Sequence, residues 1–390
     1  MSAPQERLFT PRFFLMCGFT FTVFLSAFQM LPTAPFHILD LGGSEFAAGL
    51  FLGFLTYASA FSAPFTGALA DRVGKRRMLI VCSLAIAGFS AAYAVIPGYR
   101  LVLALTLAHG VFWSGLLSSS AAHMTDMIPE SRRAEGIGYW GLSSVLAIAV
   151  APTLGFWIYH RGWVWLCISA GVLNLVMAAI AFSLTEAKAR VSPDREFFSR
   201  SLLEWRVLMV SVTLFLYSFG YGGITSFVAL YADANGIAPK GIFFIAFSLV
   251  VVVTRPFSGR LADRIGHRRV FLPCLVLIVV SLALLAAMPT FWGMLSAAIV
   301  FGIGFGSAYP AYVAYVTRHV TPARRGAAFG GILAAFDTGI GTGSVVAGYI
   351  IQRFGFSAAY GFAAALSSLA LPYFLFAEKR FLLRPEAPAP

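Results

Sequence analysis

The stretch GALADRVGKRRM at residues 67–78 returns as GRLADRIGHRRV at residues 259–270. The offset, 259 minus 67, is 192 residues in a chain of 390. The same offset carries Arg132 and Arg133 onto Arg324 and Arg325, Gly110 onto Gly302, and Gly138 onto Gly330. Self-similarity at half the chain length means two copies of one structural unit. Each copy sets its basic residues in a short break between two long apolar runs.

Outward from those breaks the chain is 59% hydrophobic and 11% charged, too little charge to cover a water-soluble domain. Apolar runs of membrane-crossing length recur at about 13–36, 46–68, 78–96, 101–124, 136–159, 163–184, 207–231, 241–261, 270–288, 292–317, 328–351 and 356–377. The first is too long for the apolar core of a signal peptide and reads as a retained helix. The expected fold is an all-α membrane protein of twelve transmembrane helices in two pseudo-symmetric bundles of six. Residues 1–184 form the first bundle and 207–390 the second. Residues 185–206, which mix acidic and basic side chains, form a solvated linker.

Net charge is +12, and its placement decides what it means. Of 28 lysines and arginines, 23 fall in one alternate set of breaks, and only Arg100, Arg161, Lys240 and Arg353 in the other. That asymmetry is a topology signal and places both termini and the linker in the cytoplasm. No polar domain carries a basic patch, so a nucleic-acid partner is excluded. Cys17, Cys82, Cys167 and Cys274 lie inside apolar runs at no paired spacing, as membrane-buried thiols rather than disulfide or metal ligands. No zinc-protease, nucleophile-elbow or phosphate-loop motif occurs, which argues against an enzyme and against ATP-driven pumping; no cofactor is expected.

In the repeated loops, Gly67 and Gly259 would let neighbouring helices approach closely. Asp71 and Asp263 sit where a carboxylate can accept from N–H groups at a helix start. Lys75, Arg76, Arg268 and Arg269 can pair with carboxylates such as Asp126, or serve only to fix topology. The two copies of G-x-L-A-D-R-x-G-x-R-R, with Arg72, Gly74, Arg264 and Gly266, resemble the signature loops of the major facilitator superfamily. The P-x-x-R-R and P-x-R-R entries to spans five and eleven extend the resemblance over the whole chain. It implies a secondary transporter that works by alternating access, in which the loops latch the halves while the cytoplasmic side is closed. It also implies a small-molecule solute and protons as partners and a monomer, while the short loops and compact termini suggest a bacterial inner (plasma) membrane.

The chain is most similar to the drug, sugar and metabolite efflux branch, with departures. On span five, Ala147, Ala151, Pro152 and Gly155 keep small residues, but alanine precedes the proline. Thr106 stands in span four where many proton antiporters of the family have arginine. Span one has no carboxylate. Export is favoured by the span-five run and the short loops, with uptake symport as the alternative.

Ionisable groups inside spans mark function by default. Asp337 is the one acidic residue near mid-membrane, and His109 the second candidate for proton coupling. Arg255, in span eight before Pro256, either packs structurally, pairs with Asp337, or meets an anionic group. Thr22, Ser26, Gln29 and Thr33 share one face of span one, and Pro32 and Pro35 suit a kink at its outer end. His109 and Trp113 share a face of span four, Tyr217 and Tyr221 a face of span seven, where Gly222 and Gly223 offer a bend. Tyr309 and Tyr312 lie in span ten. The resemblance implies that these four spans line a central path. The cavity candidates are therefore Gln29, Thr33, His109, Trp113, Tyr217, Tyr221, Arg255, Tyr309 and Asp337.

Overall fold

A bilayer offers no water to satisfy a backbone, so apolar runs of this length must close their hydrogen bonds internally, as helices. The computed structural model describes residues 8–129, 132–185, 204–321 and 325–383, and no strand occurs among them. Most of the linker expected at 185–206, and Arg324, lie outside the described residues.

The helices are α1 (Pro11–Met30), α2 (Ala34–Asp40), α3 (Glu45–Val73), α4 (Lys75–Val95), α5 (Tyr99–Met127), α6 (Arg133–Tyr159) and α7 (Trp163–Ser183). A second set follows: α8 (Trp205–Ala234), α9 (Ile242–Ile265), α10 (His267–Ala287), α11 (Phe291–Thr317), α12 (Arg325–Ser368), α13 (Ala370–Ala377) and a final π-helical turn, Glu378–Leu382. Thr10, Ser44 and Thr290 cap α1, α3 and α11 by accepting the N–H groups of Phe13, Ala47 and Gly293. One residue separates α3 from α4 and α9 from α10: Gly74, at φ 105°, and its repeat mate Gly266, at φ 97°. Only glycine takes that conformation cheaply. Span one breaks between Met30 and Ala34, where Pro32 sits, as the prolines suggested.

Eleven segments of the described residues are long and apolar enough to cross a membrane, not twelve. The last, Ala328–Leu382, runs through the two expected spans 328–351 and 356–377 without a loop. Its one non-helical residue within α12 is Gly355, at φ 82°. Before Gly355, α12 runs in the direction of α8: the Phe336 carbonyl accepts from Ser218, and Ser344 meets Ser226. After it the chain returns: Tyr360 packs on Tyr231, Ser367 donates to the Leu216 carbonyl, and Tyr373 to that of Met209. A single left-handed glycine thus reverses the path.

Small residues hold the helices together, as lipid gives no hydrophobic reason for helices to associate. A methyl placed on Gly222 would come within 1.9 Å of the Ile340 carbonyl oxygen, and one on Gly343 within 1.9 Å of that of Phe219. Gly222 therefore seats α8 against α12; α8 continues as one helix, without the bend that its glycines offered. On the next turn, Gly341 faces the other way, toward Gly53 and Thr56 of α3.

Call the end of the molecule bearing Gly74 and Gly266 the motif end. At the opposite, far end, one buried cluster draws on both sets: Met30, Ile38 and Phe51 pack with Phe227, Ala347 and Ile351. At the motif end a second cluster contains only residues of the first set, among them Met16, Leu79, Leu116 and Met124. The two sets are joined at the far end. Close to the motif end, a methyl on Gly67, Gly138, Gly259 or Gly330 would meet nothing within 4 Å. Among the described residues, the close approach expected at Gly67 and Gly259 is absent.

This contrast is measurable. Gly343→Ala should overpack α8 against α12 at a cost of about 1–3 kcal/mol. Gly67→Ala should be neutral or slightly stabilising, through helix propensity. Thermal unfolding midpoints in detergent should fall for the first and hold or rise for the second.

Candidate functional site

The polar stripe of span one faces inward, into its own set of helices. Gln29 and Thr33 are fully buried: the Ser169 hydroxyl donates to Gln29 Oε1 at 3.1 Å, and the Thr33 hydroxyl donates to the Gln29 carbonyl at 2.6 Å. Asn174 Nδ2 of α7 donates to Ser26 Oγ at 3.1 Å, and Thr22 returns its hydroxyl to the Gly18 carbonyl. The stripe is the α1–α7 contact. Gly155 belongs to the same packing, since a methyl there would meet the Gln29 carbonyl oxygen at 2.5 Å. What α1 presents elsewhere is aromatic: Phe24 lies against half-buried Trp113 of α5, and Phe28 against Phe244 of α9.

His109 also turns away from the second set. Its Nδ1 lies 3.2 Å from the Tyr93 hydroxyl and its ring stacks on Phe89, both in α4. Trp113, one turn along, is the residue of that stripe that meets α1.

The second set supplies an aromatic wall. Tyr221 packs on Phe305 at 4.4 Å between centroids and stacks on Phe301. Buried Tyr217 contacts Phe305, Phe336 and Phe271. Tyr309 lies 5.0 Å from Phe336 and close to Asp337. Tyr312 is different: its hydroxyl meets Ser211 at 3.0 Å and its ring packs on Phe271 and Phe374, inside the set.

Two seams join the sets, and each holds one charged residue deep within a span. Along α3 and α12, Gly348 abuts Glu45 and the Ser344 hydroxyl donates to the Gly49 carbonyl at 2.9 Å. Tyr57 then meets Thr342 at 2.8 Å, and last comes Asp337, partly exposed, against the Ser59 hydroxyl. Along α6 and α9, Gly241 abuts Thr153, and Arg255 donates to the Gly141 carbonyl at 3.3 Å. Asp337 lies 12 residues from the start of α12 and Arg255 10 from the end of α9, so both sit roughly 15–18 Å in from the motif end. They do not pair: among the described residues neither forms an ion pair within 4 Å.

The motif loops brace each set internally. Lys75 Nζ is 2.5 Å from Asp126 Oδ2, joining α4 to α5, and Arg76 donates to the Phe182 carbonyl at the end of α7. Arg268 Nε donates to both oxygens of Glu378, at 2.8 and 3.0 Å, and the Tyr315 hydroxyl also donates to Glu378. Exposed Asp263 has its own loop's His267 at 3.9 Å, in place of the helix start expected for it. Each of these pairs lies within one set.

The architecture has a match among known families. The family model described as Major Facilitator Superfamily aligns with residues 14–239 and again with 210–390. The chain belongs to that superfamily. The uncharacterized MFS-type transporter YhhS of Escherichia coli (strain K12) is 25% identical over 363 residues, covering 90% of this chain and 89% of YhhS. Its counterpart in Salmonella paratyphi C is 26% identical over 364 residues, with the same coverage. Two solved structures share the fold. A bacterial homolog of the human lysosomal transporter Spinster, inward-facing and occupied, superposes with a TM-score of 0.77 at 16% identity, over 97% of this chain and 98% of that one. The nucleoside transporter NupG does so with 0.74 at 16%, over 95% and 100%. This chain is thus an integral membrane transporter.

Within that family fold, the sequence missed three residues that the structure makes prominent. Ser59 and Asn174 are small polar groups in apolar runs, with nothing local to distinguish them. Glu378 is 1% exposed although charged neighbours Lys379 and Arg380 follow it. Its mate Arg268 is visible by the repeat, since 76 plus 192 is 268. Asp126 maps in the same way onto Arg318, and Lys75 onto His267, so the second copy cannot form the first copy's ion pair. It uses Arg268 and Glu378 instead.

The two pairs should therefore differ in worth. Arg268→Ala strands a buried carboxylate and should cost about 3 kcal/mol or more. Lys75→Ala breaks a more exposed pair and should cost under about 1 kcal/mol. Unfolding midpoints of the two variants, with Glu378→Gln as a partial rescue of the first, check this.

Proposed function

We propose that this protein exports a small solute in exchange for protons, by alternating access between two six-helix halves, 1–184 and 207–390, joined by 185–206. Gly355 then separates the eleventh and twelfth spans. The charge asymmetry of the breaks supports placing the motif end and both termini in the cytoplasm of a bacterial inner membrane. Under that orientation the present conformation is inward-facing, sealed at the far end and parted at the cytoplasmic end.

The observation that carries the proton-coupled reading is Asp337. It is a carboxylate deep in a span, beside the Ser59 hydroxyl on the α3–α12 seam, and among the described residues it has no basic partner within 4 Å. A proton held there changes the charge at the point where the halves part, which is where a transport cycle must act. His109 is the weaker candidate, since its ring is engaged by Tyr93 and Phe89 away from the seam. Tyr309, Trp113, Tyr221 and Arg255 remain the cavity residues in this reading. Gln29 and Thr33 hold α1 in place. Closing the cytoplasmic end would bring the unfilled surfaces at Gly67, Gly138, Gly259 and Gly330 into contact.

The test compares small molecules inside and outside cells expressing the protein, by untargeted mass spectrometry. Export predicts a compound depleted inside and enriched in the medium. Asp337→Asn should abolish that imbalance while leaving exchange of the same compound intact. Unchanged gradient-driven transport by Asp337→Asn would sink the proton role, and accumulation inside would make the protein an uptake symporter. A second measurement addresses closure. Gly67→Trp should hold the motif end apart, so that a cysteine introduced at position 330 stays reactive to a membrane-impermeant thiol reagent from the cytoplasmic side, whatever solute is added.

A further inference from the structure

Among the described residues, Arg255 is the one basic side chain set deep within a span, and most of its bonding capacity is unused. A guanidinium carries five N–H donors in a planar fork. Only Nη1 is engaged: it donates to the Gly141 carbonyl at 3.3 Å, and that oxygen already accepts from the Ser144 hydroxyl at 2.9 Å. Nε and Nη2 make no hydrogen bond among the described residues. They are not sealed off either, since the side chain is partly exposed and neither nitrogen is a buried, partnerless atom. Nε and Nη2 form the edge with which Arg132 grips both oxygens of Glu135.

The helix shows where that edge opens. Leu249, Val253, Phe257 and Leu261 recur every four residues along α9 and are all exposed, which marks the face turned to lipid. Arg255 is two residues from Val253 and from Phe257, about 200° around the helix. It shares the opposite face with buried Ser248 and with Val251, which fills the space at Gly306 of α11. The free edge therefore opens toward the interior between the sets.

No carboxylate of the described residues lies within 4 Å of it. Asp337 stands on the other seam but in the same set, so rocking of two rigid sets leaves it no nearer. Glu135, the one acid of α6, is six residues closer to the motif end, about 9 Å along the axis, and is held by Arg132. Where this chain braces helices with an arginine, it supplies the carboxylate, as Glu378 does for Arg268. A guanidinium kept in a span without one is costly unless an anion meets it.

We propose that Arg255 binds the anionic group of the transported solute, and that the substrate class is organic anions bearing a carboxylate or phosphate, held in a two-pronged pair by Nε and Nη2. The proposal rests on the reading of the protein as a transporter with its path between the halves. No bond is made or broken.

Shape-matched acids and neutral compounds test it by binding alone. Purified full-length protein in detergent is titrated with benzoate, 2-naphthoate and phenyl phosphate, and with their neutral matches benzamide, 2-naphthamide and benzyl alcohol, while the unfolding midpoint is followed. At least one acid should raise the midpoint saturably, with its neutral match at least about tenfold weaker. Arg255→Gln should abolish that preference. Arg255→Lys, which keeps the charge and loses the fork, should retain it with affinity about threefold to tenfold lower, and carries the comparison if Arg255→Gln does not fold. Equal binding of acids and neutral matches overturns the proposal, as does the absence of saturable acid binding by monodisperse protein. Arg255→Gln that lowers the midpoint without ligand but keeps the preference for acids marks a brace and overturns it too. A protein that moves metabolites in cells but fails this test rejects the substrate class and leaves the transporter reading standing.

Discussion

Backbone meets backbone along α3 and α12, and the rest of the arrangement hangs on that contact. Gly348 abuts the Glu45 carbonyl, and Gly49 and Gly53 receive Ser344 and Val345. In lipid, helices gain nothing by hiding apolar surface from one another, so only close packing and hydrogen bonds hold them. A seam of glycines brings carbonyls and hydroxyls of two chain segments, nearly 300 residues apart, within bonding distance. Because the glycine contacts stop before Asp337, the seam closes one end of the molecule and leaves the other to part. The single-residue turns at Gly74 and Gly266 keep each motif loop short, so the parted end is framed by rigid helix ends.

Charge inside this framework is handled in two ways. Glu378 is wholly buried but satisfied, by Arg268 and Tyr315, and it ties the end of the chain to α10 and α11. Asp337 is partly exposed and, among the described residues, lies beside the Ser59 hydroxyl and Tyr309 with no basic partner. A paired buried carboxylate contributes to fixing a structure, since losing either partner is costly. An unpaired one invites a mobile counter-charge. The same residue class thus serves as brace in one place and as candidate working group in another, and what separates them is the neighbour supplied by a distant helix.

The two repeats diverge in how they brace their loops while keeping one backbone plan. Arg76 reaches carbonyls at the end of α7, and Arg268, its mate, reaches a carboxylate after α13. Lys75 and Asp126 form a pair in the first copy where His267 and Arg318 stand in the second. Pseudo-symmetry therefore governs the helices and not the electrostatics, which is why the charges at the seams, Asp337 and Arg255, both come from the second copy. Their mates in the first copy, 192 residues earlier, are Val145 and Ala63.

The sequence by itself determined the helical class, the repeat, the two motif loops and the singular position of Asp337. Each follows from local rules: run length against bilayer thickness, identity at a fixed offset, and rarity of charge in apolar surroundings. It also set Gln29, Thr33 and His109 on helix faces expected to line a cavity, but a face has no address until its neighbours are known. Helical period says which residues share a stripe and is silent on whether the stripe meets a cavity or another helix. Only the tertiary structure decided that the span-one stripe meets α7, that His109 meets α4, that Gly222 serves packing rather than bending, and that Ser59 stands opposite Asp337. Those outcomes depend on contacts between residues far apart in sequence, whose energies no local pattern encodes.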